Sequence, residues 1–438
     1  MKAVLMGMGV TGRAVADALL ARGHGVVAFD DRPSDAVHTW AADNNVSVIT
    51  PGADDVSTAL ASADVAIPAP GLPDTHSFFA DAASAGVDIV SEFDLAAAWD
   101  ARPCVAVTGT DGKTTVVNLI DQMLTASGVS SAMVGNTDTP WVTAIDDAST
   151  DVFVVEASSF RLAHSRRFAP QVAVWLNFGP DHLDAHRSLK EYEAAKASIF
   201  DHVPSNGLVI ANRDDEIVAR YAAEVTHTTV ETFGLDDGAH GVSDRNLVVG
   251  GEPLLPIDDL VRALPHDQAN ALAASAAALA IGATREGAAT ALRNFEGLEH
   301  RVEFVLEHDG VRWFNDSKAT TPHASEAGLS GFDSVVLLAG GRNKGLSFDG
   351  LASQGERLRH VVALGESADL IVEVFDGIAP TTTATSMSEA VEQADAAAQP
   401  GDVVLLSPAC ASFDWYRNYG ARGDDFKRLV RERFEGNR

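Results

Sequence analysis

The sequence predicts three α/β units in series. Short, almost wholly apolar strands recur along its 438 residues, two of them run directly into a glycine turn and a helix, and helical segments separate the rest. The first unit opens with a strand at 4–5, the turn Gly7-Met8-Gly9-Val10-Thr11-Gly12 and an Ala/Leu-rich helix at 13–21. A second strand at 26–29 ends in Asp30-Asp31-Arg32. Strand, glycine turn, helix, strand is how a doubly wound sheet begins. The stretch 64–68 then enters Ala69-Pro70-Gly71-Leu72-Pro73, a run of strong turn formers. A first boundary is expected within 93–103.

The second unit begins with a strand at 105–107, the loop Thr108-Gly109-Thr110-Asp111-Gly112-Lys113-Thr114-Thr115 and a helix reaching Leu124. Strands are expected at 152–155, 172–177 and 208–211, with an Ala-rich buried helix at 268–280 and a boundary near 296–301. The third unit carries strands at 335–339, 361–364 and 403–406 with helices between them, again α/β.

Charge and cysteine content narrow the function. Against 32 Lys and Arg stand 62 Asp and Glu, a net charge of −30, which opposes sequence-independent binding to nucleic acid or an anionic membrane. Two cysteines, Cys104 and Cys410, exclude a disulfide framework and favour a reducing compartment. No apolar run reaches the length of a membrane helix, so the chain reads as cytoplasmic. Only seven of the basic residues are lysines, which makes each one worth following.

The 108–115 loop has the composition of a phosphate cradle. A Gly-rich turn between strand and helix surrounds an anion with backbone N–H groups, and the helix dipole adds to the attraction. Lys113 would reach the β/γ-phosphates and the Thr114 hydroxyl a Mg²⁺ ion. The spacing G-x-x-G-K-T is two residues shorter than the general phosphate-loop pattern. Strand 152–155 leads to Glu156, and strand 172–177 to Asp181, His182 and Asp184. Carboxylates and an imidazole at adjacent strand ends lie where open α/β sheets bind ligands, and with Thr114 they suit Mg²⁺. Gly7, Gly9 and Gly12, with Asp30 or Asp31 some way on, also match a dinucleotide fingerprint.

Taken together, the segments 108–115, 156–162, 177–184 and 192–196 resemble the Mur ligase family, the ATP-dependent amino-acid-adding enzymes of peptidoglycan synthesis. Two further segments extend the likeness to nearly the whole chain: Asn315-Asp316-Ser317-Lys318-Ala319-Thr320, and Leu406-Ser407-Pro408-Ala409-Cys410-Ala411-Ser412-Phe413-Asp414. These last two point to D-glutamate as the amino acid added. The resemblance implies a Rossmann-like domain at 1–97 for a UDP-linked substrate, a central P-loop ATPase-type domain at 98–298 for ATP, and a Rossmann-like domain at 299–438 for the amino acid. It implies that ATP phosphorylates the carboxylate of UDP-MurNAc-L-Ala and that the amine of D-glutamate attacks the acyl phosphate.

Residue by residue, the resemblance gives Lys113, His182, Lys196 and Lys318 catalytic roles. ATP falls to Gly109, Thr110, Asp111, Gly112, Lys113, Thr114 and Thr115, with Asn270, Arg301 and Asp316 on its nucleoside side. Two Mg²⁺ sites fall to Thr114, Glu156, His182 and Lys196, the last carrying CO₂ as a carbamate. An ammonium would be repelled by Mg²⁺, whereas its CO₂ adduct is an anion with oxygen ligands. Val10, Thr11, Asp31, Arg32, Pro70, Gly71 and Asn136 would hold the UDP-substrate. Thr320, Lys344, Ser412, Phe413 and Tyr419 would surround D-glutamate. A monomer is expected. The chain departs from the family pattern at Ala69, where Ser is usual, and at Asn136-Thr137-Asp138, where Asn-Ile-Gly is usual.

Competing readings are another amino-acid specificity within the family (L-alanine, a diamino acid or folylpolyglutamate synthesis), an NAD-dependent dehydrogenase resting on Gly7–Gly12 and Asp30, and a non-catalytic nucleotide switch. The dehydrogenase leaves 108–115 and Lys196 unexplained, and the switch does not need Lys344 together with Ser412.

Overall fold

A computed structural model of the chain describes residues 1–52, 55–137, 139–181 and 186–436. The chain forms two compact units. One holds Met1–Phe178, the described part of His182–Leu260 and Ala269–Asn294; the other holds Gly179–Asp181, Val261–Gln268 and the remainder from Phe295.

The first unit contains two sheets. β1 (Lys2–Met6), β2 (Gly25–Phe29), β3 (Val48–Ile49), β4 (Val65–Pro68) and β5 (Asp88–Ile89) form a parallel sheet in the order β3-β2-β1-β4-β5. The order reverses at β1, so a crevice opens beyond the carboxyl ends of β1 and β4. The larger sheet uses β6 (Cys104–Thr108), β7 (Ser131–Gly135), β8 (Val152–Glu156), β9 (Val172–Trp175), β10 (Leu208–Asn212), β11 (Thr229–Phe233), β12 (His240–Ser243), β13 (Asn246–Val249) and β14 (Glu252–Pro256). Its order is β14-β13-β12-β11-β10-β9-β6-β8-β7. All residues of β6, β8 and β9 are buried, as expected of parallel strands covered on both faces. Here β6 is the reversal point, flanked by β8 and β9.

The other unit has one sheet: β15 (Glu303–His308), β16 (Val311–Asn315), β17 (Val335–Gly340), β18 (Leu358–Leu364), β19 (Thr381–Ala384) and β20 (Val403–Leu406), ordered β15-β16-β20-β17-β18-β19. Only the β15–β16 pair is antiparallel. β20, last in the chain, inserts between β16 and β17, which brings the loops after all three to one edge.

Most of the expected elements are present, and the differences have physical causes. The stretch 93–103, expected as a boundary, begins inside a buried helix, Glu92–Trp99. Ser91 and Asp94 form a capping box at its start. Asp94 also reaches out: its Oδ1 accepts the N–H groups of Arg166, Arg167 and Phe168 at 3.0, 2.7 and 3.0 Å. Phe93 packs on Phe168 and Trp141, with ring centroids 5.0 and 6.0 Å apart. Glu92 forms a buried ion pair with Arg161, and its other oxygen accepts the Val142 N–H at 3.1 Å. This helix therefore clasps the larger sheet's loops.

The expected strand 172–177 stops at Trp175, because Asn177 turns away to bond a neighbouring loop. The Ala-rich helix starts earlier than expected, at Pro265, whose missing N–H costs nothing in a first turn. The antiparallel ribbon β12–β14 was not legible. Its first turn uses Asp244 and Arg245, both at positive φ, rather than an Asn-Gly or Asp-Gly pair. Among the described residues no helix is long and apolar enough to cross a membrane.

Removing the Asp94 carboxylate strands the buried Ser91 and Phe168 N–H donors, each costing about 1–3 kcal/mol, along with the half-buried ones of Arg166 and Arg167. Asp94→Ala should lower stability by about 2–4 kcal/mol in urea unfolding, whereas Ala at the exposed Asp88 should change it by less than about 0.5 kcal/mol.

Candidate active site

The 109–115 loop leaves the reversal strand β6 and ends at the N-terminus of the helix Lys113–Ala126. Gly112 caps that helix at φ 82°, and a Cβ there would lie 2.7 Å from the Asn270 side-chain oxygen. Glycine is thus required twice, by the backbone and by the approach of Asn270. Asn177 braces the loop: it accepts from the Asp111 N–H at 2.9 Å, donates to the Asp111 carbonyl at 3.2 Å, and its own carbonyl accepts the Thr110 N–H at 3.1 Å. Thr110 Oγ1 lies 3.2 Å from the Tyr192 hydroxyl. Thr114 occupies the first helical turn, half-buried, and Thr115 beside it is buried.

Two lysines converge on one carbonyl. Lys113 Nζ donates to the Gly109 oxygen at 2.6 Å and the Thr110 oxygen at 2.8 Å, and Lys196 Nζ donates to the same Gly109 oxygen at 2.7 Å. Lys196 is 1% exposed and also lies 4.6 Å from the Tyr192 ring centroid. It is the reverse of an ordinary solvated helix lysine, since burial of an ammonium needs such partners.

Glu156 ends β8 and is buried. Asn136 donates to its Oε1 at 3.0 Å, while Oε2 is buried with no hydrogen-bond partner. An orphaned carboxylate oxygen at the end of a strand beside the phosphate loop's strand fits a hard cation. With Thr114 it offers Mg²⁺ oxygen ligands, the remainder being water, as that ion prefers. His182, the expected imidazole, lies outside the described residues, as does Asp138. Among the described residues, no three His, Cys, Asp or Glu side chains cluster to hold a metal. Ser158, missed by sequence reasoning, has a buried hydroxyl without a partner two residues beyond Glu156.

In the smaller sheet of this unit, the loops after β1 and β4 meet. A Cβ on Gly7 (φ 91°) would lie 2.7 Å from that of Ala69, and one on Gly12 would lie 2.0 Å from the Gly7 carbonyl. Val10 and Thr11 open the helix Val10–Ala21, with Val10 63% exposed. Thr11 Oγ1 accepts from Arg161 at 3.1 Å. Asp31 pairs with His76 at 3.1 Å, and Arg32, Gly71 and Asn136 are exposed, with Pro70 half-buried. Asp30 is spent within the protein: its two oxygens accept the N–H groups of Met8 and Arg32 at 2.7 and 2.8 Å. The acidic residue of the dinucleotide fingerprint thus holds the turn itself.

In the second unit, the loops after β16, β17 and β20 come together. Arg342 and Ala411 exchange backbone hydrogen bonds at 2.9 and 3.0 Å, seating 341–345 beside 407–414. Arg422 is a second residue that sequence reasoning missed. It is 1% exposed and donates to Ser317 Oγ at 2.9 Å, to the Ser317 carbonyl at 2.8 Å and to the Cys410 carbonyl at 3.1 Å. It thereby ties the Asn315–Thr320 and Leu406–Asp414 motifs together. Burial lowers its pKa to about 10. Lys318 Nζ lies 4.0 Å over the Tyr419 ring, Lys344 pairs with Asp181 at 3.2 Å, Ser412 is buried, Thr320 is half-buried and Phe413 is 62% exposed.

Asp316 is buried, with Ser407 and the Val302 N–H donating to its oxygens at 2.8 and 3.2 Å. Burial pushes its carboxyl up to about 7, against those hydrogen bonds and the charge of Arg301. Arg301 sits between His300 and Val302, both at positive φ, and its carbonyl accepts from Arg262 at 2.7 Å.

Residues 1–91 match the description "Mur ligase MurD-like, N-terminal domain", 107–278 "Mur ligase middle domain" and 300–410 "Mur ligase, glutamate ligase domain". A protein of Frankia casuarinae named UDP-N-acetylmuramoylalanine--D-glutamate ligase is 40% identical over 98% of this chain and 94% of its own. A protein of the same name from Methylococcus capsulatus is 38% identical, with the same coverage. The solved structure of a pseudomurein peptide ligase type C from Methanothermus fervidus shares the fold, with a TM-score of 0.62 at 16% identity over 98% of this chain and 99% of that one. The chain belongs to the Mur ligase family of ATP-dependent peptide ligases. Within that family its MurD-like first domain and these relatives set it beside the D-glutamate-adding members.

Asn177→Ala should weaken binding of a non-hydrolysable ATP analogue about 10-fold by calorimetry, the equivalent of about 1.4 kcal/mol, with the thermal midpoint nearly unchanged. A pH test bears on Asp316. Its pKa in an unfolded chain is about 3.9, so folding takes up a proton between there and about 7. That stabilisation is complete below about pH 4 and lost as pH rises through about 7. The stability of the wild type relative to Asp316→Asn should therefore fall across that window.

Proposed function

We propose that this protein joins D-glutamate to UDP-N-acetylmuramoyl-L-alanine at the expense of ATP, in cytoplasmic synthesis of peptidoglycan precursors. The observation that carries the reading is the near-full-length likeness to ligases named for that reaction, on a chain whose phosphate loop, buried Glu156 and buried Lys196 suit phosphoryl transfer. We assign residues 1–97 to the UDP-substrate, 98–298 to ATP and 299–438 to the amino acid.

In the first step a carboxylate oxygen of the alanyl group attacks the γ-phosphorus, and the bond to the β-bridging oxygen breaks to release ADP. In the second, the D-glutamate amine attacks the acyl carbon, loses a proton, and phosphate leaves from the tetrahedral intermediate. Both steps need in-line positioning and neutralised charge rather than covalent help from the protein. The loop N–H groups and Lys113 hold the β- and γ-phosphates. Thr114, Glu156 and His182, with Lys196 as its carbamate, would hold Mg²⁺, which supplies charge neutralisation when bound. Val10, Thr11, Asp31, Arg32, Pro70, Gly71 and Asn136 take the UDP-substrate, the helix N-terminus at Val10 suiting its diphosphate. Lys318, Thr320, Lys344, Ser412, Phe413 and Tyr419 take D-glutamate, whose two carboxylates call for cations and hydroxyl donors. Asn270, Arg301 and Asp316 flank the nucleoside.

Phosphate release from ATP, followed with Mg²⁺, bicarbonate and UDP-MurNAc-L-Ala across an amino-acid panel, tests the reading. Release with D-glutamate alone is expected; release only with another amino acid would move the protein to a different step. Stripping CO₂ should lower the rate at least several-fold in the wild type, and a rate indifferent to CO₂ would remove the carbamate from Lys196.

A further inference from the structure

The loop carrying Pro70 and Gly71 is attached at its far end by a residue the reaction does not use. Asp74 Oδ2 lies 3.0 Å from His186 Nδ1, and its Oδ1 lies 3.4 Å from His164 Nε2. Its carbonyl accepts from Arg187 Nη2 at 2.8 Å. His186 is buried and continues the chain, with Nε2 2.9 Å from the hydroxyl of buried Ser159, three residues beyond Glu156. Nδ1 donates to the carboxylate, and Nε2 shares the second hydrogen bond with the Ser159 hydroxyl, which can serve as donor or acceptor. Phe160 stacks on the same ring at 5.3 Å, nearly parallel, which fixes its plane.

We propose that Asp74 and His186 are positioning residues that hold the 69–73 loop against the Glu156–Leu162 turn, so that the UDP-substrate is presented in register with the site of phosphoryl transfer. The loop's other side-chain anchor, His76 to Asp31, stays within the smaller sheet. Among the described residues of the loop, Asp74 is the side chain that reaches the larger one. Among the described residues the pair reaches the phosphate loop only indirectly, through the Tyr192 ring that packs 5.3 Å from His186 and whose hydroxyl meets Thr110, so its loss acts first on the UDP-substrate. This inference rests on the proposed function.

His186→Phe keeps the stack on Phe160 and removes both hydrogen bonds; Asp74→Ala removes the carboxylate. Each should raise KM for UDP-MurNAc-L-Ala about 10-fold while kcat, KM for ATP and KM for D-glutamate stay within about 2-fold. Asp74→Asn, which keeps an acceptor toward the ring, should recover most of the loss. The double variant Asp74→Ala/His186→Phe should be no worse than the weaker single, because the two act through one bond. An unchanged KM for UDP-MurNAc-L-Ala, or an equal rise for all three substrates, would overturn the inference. Should one variant fail to fold, the other decides alone. D-glutamate-dependent turnover of the wild type tests the proposed function separately.

Discussion

Strand order is the constraint on which the rest of this structure depends. In two of the three sheets a pair of adjacent strands sends its connections in opposite directions, β1 and β4 in the first and β6 and β9 in the second, while in the third β20 inserts between β16 and β17. Connections leaving such strands cannot cover their own carboxyl ends, so a crevice remains. The glycine turn after β1 and the phosphate loop after β6 fall there, and the motif after β20 falls at the edge where β16, β20 and β17 end. Parallel pairing also demands buried, β-branched strands and glycine where a loop must pass close to its neighbour. Gly340 shows how tight this is: a Cβ there would sit 1.9 Å from the Leu364 carbonyl.

On that frame the site is assembled by residues that spend their hydrogen bonds on loops. Asn177 shapes the phosphate loop, Arg422 joins the two motifs of the second unit, and Asp30 closes the first glycine turn. Each is fully engaged inside the protein and so is poorly placed to bind a ligand itself. The groups with capacity left over differ from them: Glu156 Oε2 and Ser158 Oγ are buried and unpartnered.

Much of this was legible in the sequence, and the limits are instructive. The buried strands and both glycine turns announce themselves, because apolar runs followed by glycine have few other uses. Lys196 stood out through the scarcity of lysine, and the structure buries it. Asn177 was visible only as the end of a strand, since nothing local reveals that its amide faces Asp111, 66 residues earlier. Arg422 sits in a charged helix and reads as solvated; its burial depends on Ser317, 105 residues earlier, and on the Cys410 carbonyl. The 92–99 helix had no sequence signal of its burial, because Glu92 and Asp94 find their partners near residues 142 and 161–168.

That last helix has a consequence for how the protein can be divided. Besides the Arg161 ion pair, its acidic side chains terminate on backbone N–H groups of 142 and 166–168, so part of its lock is main chain that side-chain replacement cannot remove. A fragment ending near residue 97 would carry Phe93, Leu95 and Ala96 into water, along with a carboxylate that has lost three of its donors. The first sheet is in this sense not a module that recombination could exchange by cutting at the apparent seam. A viable exchange would have to carry the 161–168 turn with it, although that turn lies about 70 residues downstream of the helix.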